Sequence, residues 1–311
     1  MCDTHSIYNR NKVNRNRIMP FEIIENVVRS THHYLKEIIP STMGEPLLYP
    51  YFKNIVDIAK KYGIKINLTT NGTFPILGVE KWGKLILPVA SDVKISINGA
   101  TKETAESIMV GIDLEKQIEN IEKFVELRNE IRAEKINNPT VTFQITFMER
   151  NLEELPELVK MAIDVGIDRV KGHHLWITWP ELEEESLKRN KDSIRRWNIM
   201  VDKLHEIKKS YNSEIILDNI HKLPENPHSP VPEDWVCPFL GRETWIAWDG
   251  TFNVCCAPDK LRRTFGYFGN VRDSDFMNLW NSEKYNSLIE NWGNNEVCRR
   301  CNMRRPIEEV V

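Results

Sequence analysis

The chain has 311 residues, 41% of them hydrophobic and 28% charged, with a formal net charge of -3. This is globular composition, which excludes a disordered or collagen-like chain and provides no global basic field to draw in nucleic acid. Six cysteines are too few for a disulfide scaffold at this length, and their clustering fits metal ligation in a reducing, cytoplasmic compartment. No run of about eighteen apolar residues is present, and the basic stretch through Arg17 has no apolar segment. Neither a membrane span nor a signal peptide is expected.

Pro20 opens a first helix, where its missing N–H costs nothing, and Phe21, Ile24, Val27 and Val28 give that helix an apolar face. Residues 35–40 read as a short strand leading into Ser41-Thr42-Met43-Gly44-Glu45-Pro46. A helix is expected over about residues 51–62, stopped by Gly63. Residues 64–70 read as a strand, turned by Asn71-Gly72, and residues 89–97 contain another. A long amphipathic helix follows, with Ile118, Ile121, Val125 and Ile131 on one face. Residues 141–147 are β-branched and aromatic, hence a strand. Asn151 and Glu154 resemble a capping box for a helix bearing Leu155, Leu158 and Ala162. Residues 169–175 read as the next strand, and one long helix over roughly 181–211 carries Leu187, Ile194, Trp197, Val201 and Leu204.

Strands alternating with helices of this length predict βαβ units in a parallel sheet or barrel. Pro224, Pro227, Pro230 and Pro232 then crowd a linker. Beyond it, residues 245–254 read as a β-hairpin turned by Asp249-Gly250. The hairpin folds Cys255 back toward the segment after Cys237, and Cys298-Arg299-Arg300-Cys301 is a CxxC knuckle. These four thiols complete a four-sulfur shell for iron–sulfur or zinc, and Cys256 is a spare neighbour.

Cys237, Gly250 and Cys255 at this spacing resemble the C-terminal SPASM/twitch module of radical S-adenosylmethionine (SAM) enzymes. Gly269-Asn270, Phe276, Leu279-Trp280 and the CxxC pair are similar to the same module. No cysteine follows Cys301, which matches the shorter twitch form with one auxiliary cluster. Met43-Gly44-Glu45-Pro46 resembles the GGEP motif of the radical SAM core. Thr70-Asn71-Gly72-Thr73 sits at its TNG turn, and Ser96-Ile97-Asn98-Gly99 at its SxDG-like strand end. Where the family often carries an arginine, this chain has Met109.

The resemblance implies an α/β fold, an incomplete (β/α)6 TIM-like barrel missing its first strand, plus a small C-terminal cysteine-rich β-hairpin/helix module. It divides the chain into a partial core (1–222), a Pro-rich linker (223–236) and an auxiliary cluster module (237–311). It implies SAM bound by Gly44, Glu45, Pro46, Asn71, Ser96 and Asn98, with an auxiliary Fe–S cluster on Cys237, Cys255, Cys298 and Cys301. That cluster would ligate substrate or relay electrons. The family's CxxxCxxC motif, which holds the SAM-binding [4Fe–4S] cluster, is represented only by Cys2, in register as its third cysteine. The expectation is therefore an N-terminally shortened sequence, which the reading frame upstream of Met1 tests. The implied reaction is reductive cleavage of SAM to a 5′-deoxyadenosyl radical that abstracts hydrogen from an unknown substrate, a peptide, a protein or a small molecule. Flavodoxin or ferredoxin is the implied electron donor, and the resemblance assigns no catalytic side chain.

Two other readings stand beside it: a non-catalytic Fe–S or zinc-binding protein, and a zinc-ribbon nucleic-acid binder, which the net charge disfavours. His5, His173 and His174 are candidate ligands or substrate contacts, set against solvated or structural histidines. Trp176 and Trp179 are read as packing residues or pocket walls. Arg299, Arg300, Arg304 and Arg305 form a basic cluster, read as a solvated face or a surface for an acidic partner or nucleic acid.

Overall fold

The computed structural model describes residues 6–9, 17–40, 44–225, 231–301 and 303–309. Cys2, His5, Met43, Pro227 and Pro230 lie outside them. The chain divides into two compact units, one of Lys36–Leu175 and Glu184–Lys222, the other of Met1–Leu35, Trp176–Glu183 and Leu223–Val311. No helix among the described residues is long and apolar enough to cross a membrane.

A first helix, α1 (Phe21–Thr31), belongs to the second unit. The first unit is a six-stranded parallel sheet: β1 (Glu37–Ile38), β2 (Lys65–Thr70), β3 (Ala90–Ser96), β4 (Thr140–Phe147), β5 (Arg169–His174) and β6 (Ile216–Asp218). Their spatial order is their chain order. A doubly wound sheet reverses at a switch point, whereas an unbroken sequence of parallel neighbours is barrel topology. The α/β, barrel-like expectation is borne out.

The connecting helices are α2 (Phe52–Tyr62), α3 (Gly78–Ile86), α4 (Lys102–Ile108), α5 (Leu114–Ala133), α6 (Leu155–Val165) and α7 (Lys191–Ser210). Strand alternation sorts the side chains. Val93, Ile95, Val141, Phe143, Ile145, Phe147 and Val170 are buried on one face. Phe147 meets Trp197 of α7 with ring centroids 4.7 Å apart. Gly63 and Gly166 end α2 and α6 in the left-handed conformation, each donating its N–H back into the last turn.

Three local expectations are corrected. The helix expected over 181–211 begins at Lys191, where the Asn190 side chain accepts from Ser193 N; residues Pro180–Glu185 form a separate 3₁₀ turn. On α5 the buried stripe is Leu114, Gln117, Ile121, Phe124, Val125 and Arg128, with Ile118 and Ile131 only half-buried. The 3₁₀ turn Glu149–Glu154 precedes α6; Asn151 caps that turn by accepting from Met148 N and also donates to the Asn98 carbonyl, while Glu154 bonds to the Ala100–Thr104 segment, so neither boxes the α6 start.

In the second unit, β7 (Trp245–Ile246) and β8 (Phe252–Asn253) form the expected antiparallel hairpin. Four short helices follow: α8 (Asp259–Arg262), α9 (Phe276–Trp280), α10 (Glu283–Glu290) and α11 (Glu296–Arg299). Phe252, Val254, Phe268, Leu279 and Tyr285 make a small core of their own. A Cβ on Gly250 (φ +91°) would lie 2.5 Å from Asn270 Oδ1, so the hairpin turn requires glycine on both conformational and steric grounds.

Candidate active site and metal centre

In a barrel, the C-terminal strand ends and their loops form the site. Here those loops are laced together by buried polar side chains. Glu45 Oε2 accepts from Asn71 N at 2.7 Å, and its Oε1 accepts from Thr70 Oγ1 at 2.7 Å and Leu47 N at 3.2 Å. Burial pushes the Glu45 carboxyl up, and the hydrogen bonds from Asn71, Thr70 and Leu47 oppose that shift. Pro46 starts the 3₁₀ turn Pro46–Leu48, and Gly44 holds φ +108°. Gln117 of α5 donates Nε2 to the carbonyls of Asn71 (2.7 Å) and Ser96 (2.9 Å), and Asn120 donates to Gly72 O. Thus α5 ties the turn after β2 to the end of β3.

Asn98 is buried, and its Oδ1 accepts from Thr146 N at 2.8 Å. Asn151 donates to the Asn98 carbonyl and to Thr146 O. Glu154 accepts from Ala100 N, Thr101 N, Thr101 Oγ1 and Thr104 Oγ1 at 2.5–3.0 Å, fastening the start of α4. Gly99 packs so closely on α4 that a Cβ would sit 2.5 Å from Ala105 N. Glu45, Asn71 and Ser96 therefore share one hydrogen-bonded network through Gln117 and Asn98 belongs to a second with Thr146 and Asn151, the two lying along one rim of strand ends. Gln117, Asn120, Asn151 and Glu154 belong to it too, and sequence reading did not single them out as parts of the site.

The face of the sheet opposite Val93 and Phe143 is polar. Barrels are commonly filled there by Val, Ile and Leu. Asn67 bridges Glu37 (3.0 Å) and Lys94; Asp92 accepts from Thr140 and Thr142 at 2.8 Å; Lys171 pairs with Asp218 at 3.4 Å. His173 lies on this face, with Nδ1 3.4 Å from Gln144 Nε2. Burial, and secondarily the Lys171 charge, pull His173 down to about 4, so it is neutral at pH 7. His174 points the other way, between Phe147 and Trp197, and is a core residue. In the second unit Trp176 and Trp179 are half-buried, and Trp179 Nε1 has no hydrogen-bond partner among the described residues.

In the second unit, Cys237, Cys255, Cys256, Cys298 and Cys301 line one cavity, completed by Phe239, Leu240, Val254, Ala257, Phe265 and Val297. The hairpin delivers Cys255, and α11, capped by Asn295 on Val297 N and Cys298 N, delivers the CxxC pair. Val236 and Arg305 exchange backbone hydrogen bonds at 2.8 and 3.1 Å, joining the segment before Cys237 to the segment after Cys301. Arg304 and Arg305 are buried, and the Arg304 guanidinium donates to the carbonyls of Pro232, Glu233, Trp235 and Arg299. Half of the basic cluster is thus internal scaffold, not a surface for a partner.

The donor set fits an iron–sulfur cluster. Thiols from three segments meet in a wall that is otherwise apolar, with no carboxylate or imidazole competing. Among the described residues no three His, Cys, Asp or Glu groups sit close enough to share one ion. Burial pushes the Cys298 and Cys301 thiols up to about 12, so a metal held by these residues would have to displace their protons to bind them as thiolates.

A radical SAM superfamily profile matches residues 1–162, and the SPASM profile, an iron–sulfur cluster-binding domain, matches residues 237–302. The tungsten-containing aldehyde ferredoxin oxidoreductase cofactor-modifying protein of Pyrococcus furiosus is 27% identical over 274 residues, covering 81% of this chain and 68% of that protein. Among solved structures, Streptococcus suis SuiB is similar with a TM-score of 0.63 at 14% identity, over 87% of this chain and 61% of SuiB. Native anSMEcpe with bound AdoMet is similar with a TM-score of 0.64 at 15% identity, over 97% of this chain and 84% of that one. Those two likenesses are of fold. With the superfamily profile spanning more than half of its length, the chain belongs to the radical SAM superfamily.

Proposed function

We propose that this protein is a radical SAM enzyme that carries an auxiliary iron–sulfur cluster on Cys237, Cys255, Cys298 and Cys301. In such enzymes the SAM-binding [4Fe–4S] cluster supplies the electron that cleaves SAM to a 5′-deoxyadenosyl radical, which abstracts a hydrogen atom from substrate. The observation that carries the reading is the rim itself. Glu45, Asn71 and Ser96 are joined through Gln117, and Asn98 is fixed separately by Thr146 N, so that three loops at the strand ends are each held by hydrogen bonds. Gly44, Glu45 and Pro46 would receive the methionine ammonium, with Glu45 held in place by its bonds to Thr70 and Asn71. Ser96 and Asn98 would stand at the ribose, where Asn98 keeps its amide nitrogen while its oxygen holds Thr146 N.

For substrate, the reading is enzyme maturation by modification of a peptide or a cofactor. The Pyrococcus relative is named for cofactor modification, and SuiB has been solved bound to a precursor peptide. A flavodoxin- or ferredoxin-type protein would donate the electron. The test is anaerobic reconstitution followed by incubation with SAM and dithionite, run on this chain and on a form extended through the upstream reading frame. Release of 5′-deoxyadenosine by the extended form supports the reading. Zinc in place of iron and sulfide, or no 5′-deoxyadenosine from either form, overturns it.

A further inference from the structure

Five thiols line a cavity whose cluster needs four. Adjacent residues of an extended strand point to opposite faces, so Cys255 and Cys256 should diverge. They do not. The chain bends at Val254 and again at Ala257, and Ala257 N donates to Cys255 Sγ at 3.3 Å, closing a tight turn around the pair. Both side chains thereby enter the cavity that holds Cys237, Cys298 and Cys301. The two thiols are within hydrogen-bonding reach of each other. The other residues of the wall, Phe239, Leu240, Val254, Ala257, Phe265 and Val297, have apolar side chains.

From this geometry we propose that Cys256 is an alternate ligand of the auxiliary cluster, exchanging with Cys255 at one iron. The inference rests on the iron–sulfur reading of the cavity. Exchange is balanced: as Cys256 binds iron its proton passes to the departing Cys255 thiolate, and no oxidation state changes. Of the four proposed ligands only Cys255 has a cysteine as its chain neighbour, since neither Cys237 nor the Cys298 and Cys301 pair is followed directly by one.

The full chain is reconstituted anaerobically as wild type, C237S, C255S, C256S and C255S/C256S. Iron and sulfide are counted, and the dithionite-reduced form is examined by electron paramagnetic resonance. C255S is expected to keep iron and sulfide near the wild-type level with shifted g-values. C237S and the double variant should lose about tenfold or more. The wild type should show two overlapping reduced signals that collapse to one in C256S, a readout that does not depend on C255S folding. An empty C255S beside a loaded wild type, a C255S/C256S as full as C255S, or one identical signal in wild type and C256S overturns the alternate-ligand role. A wild type that takes up no iron and sulfide instead overturns the cluster reading beneath it.

Discussion

Arg304 Nε donates to the carbonyl of Trp235 at 2.7 Å, across 69 residues of chain. The same guanidinium reaches Pro232, Glu233 and Arg299, and its carbon lies 5.3 Å from the centroid of the Trp292 ring. It therefore holds the segment leading to Cys237 against the end of the CxxC helix. Removing it strands four carbonyls that one planar fork had satisfied. Arg304→Ala should cost about 3 kcal/mol or more in chemical denaturation and reduce iron uptake in reconstitution. Arg304→Lys should recover only part of this, because an ammonium cannot span the fork. A melt of Arg304→Ala that overlays the wild type would show the clamp to be dispensable.

Gly172 on β5 makes room for a ring. A Cβ there would lie 2.1 Å from Phe147 Cζ, and Phe147 is wedged against Trp197 and His174 in a closed core. Gly172→Ala should destabilise the sheet unit by about 1–3 kcal/mol, read from the urea midpoint of Trp197 fluorescence. Combining it with Phe147→Leu should return part of the loss, since the smaller side chain vacates the contested space. If the double variant is as unstable as the sum of the two singles, the clash is not the cause.

Five of the six strands were legible because they are apolar and β-branched runs set between Gly, Asn and Pro punctuation, as at Lys65–Thr70 before Asn71-Gly72, whereas β6, only Ile216–Asp218, was too short to be read. The cysteine cavity was legible because the hairpin turn and the CxxC spacing are local signals. The long helix over 181–211 was misplaced because its opening run of Glu and Leu looks helical. Glu185 instead pairs with Arg150, and the Asn190 cap was the signal for the true start. The rim residues Gln117, Asn151 and Glu154 were not legible as parts of the site. The loops they fasten lie 21 to 54 residues away, so no local spacing ties them to the site. Arg304 was read as solvated for the same reason: the Val236–Arg305 bridge that buries it exists only in the fold.

His173 gives the sheet unit a pH dependence of known sign. Its folded pKa of about 4 lies below the ordinary histidine value, first through burial and then through Lys171. Between about pH 6.5 and 4 the unfolded chain binds a proton that the folded chain refuses, so stability is full above this window and falls through it. His174, buried between Phe147 and Trp197 and also held low, adds to the fall. His173→Gln should flatten the drop in urea midpoint between pH 7 and pH 5 without abolishing it. An undiminished drop would place the dependence elsewhere.

Glu154 acts in the same direction but in a lower pH window. Burial alone would raise its carboxyl, but hydrogen bonds from Thr104, Thr101 and the Ala100 amide outweigh it and hold the pKa below the usual carboxylate range. A depressed carboxylate contributes stability that is present above its unfolded pKa and lost as pH falls through the folded value. Glu154→Gln loses the charge and one acceptor, leaving its amide NH₂ facing donors. It should cost about 1–2 kcal/mol at pH 7. The gap to wild type should hold constant down to about pH 4.5 and narrow below it as wild-type Glu154 itself is protonated. Because this carboxylate fastens the Asn98–Thr104 loop, the same variant should weaken SAM binding at pH 7, measured by calorimetry on the reconstituted protein. Unchanged SAM affinity alongside the stability loss would confine Glu154 to the scaffold and separate the start of α4 from the rim.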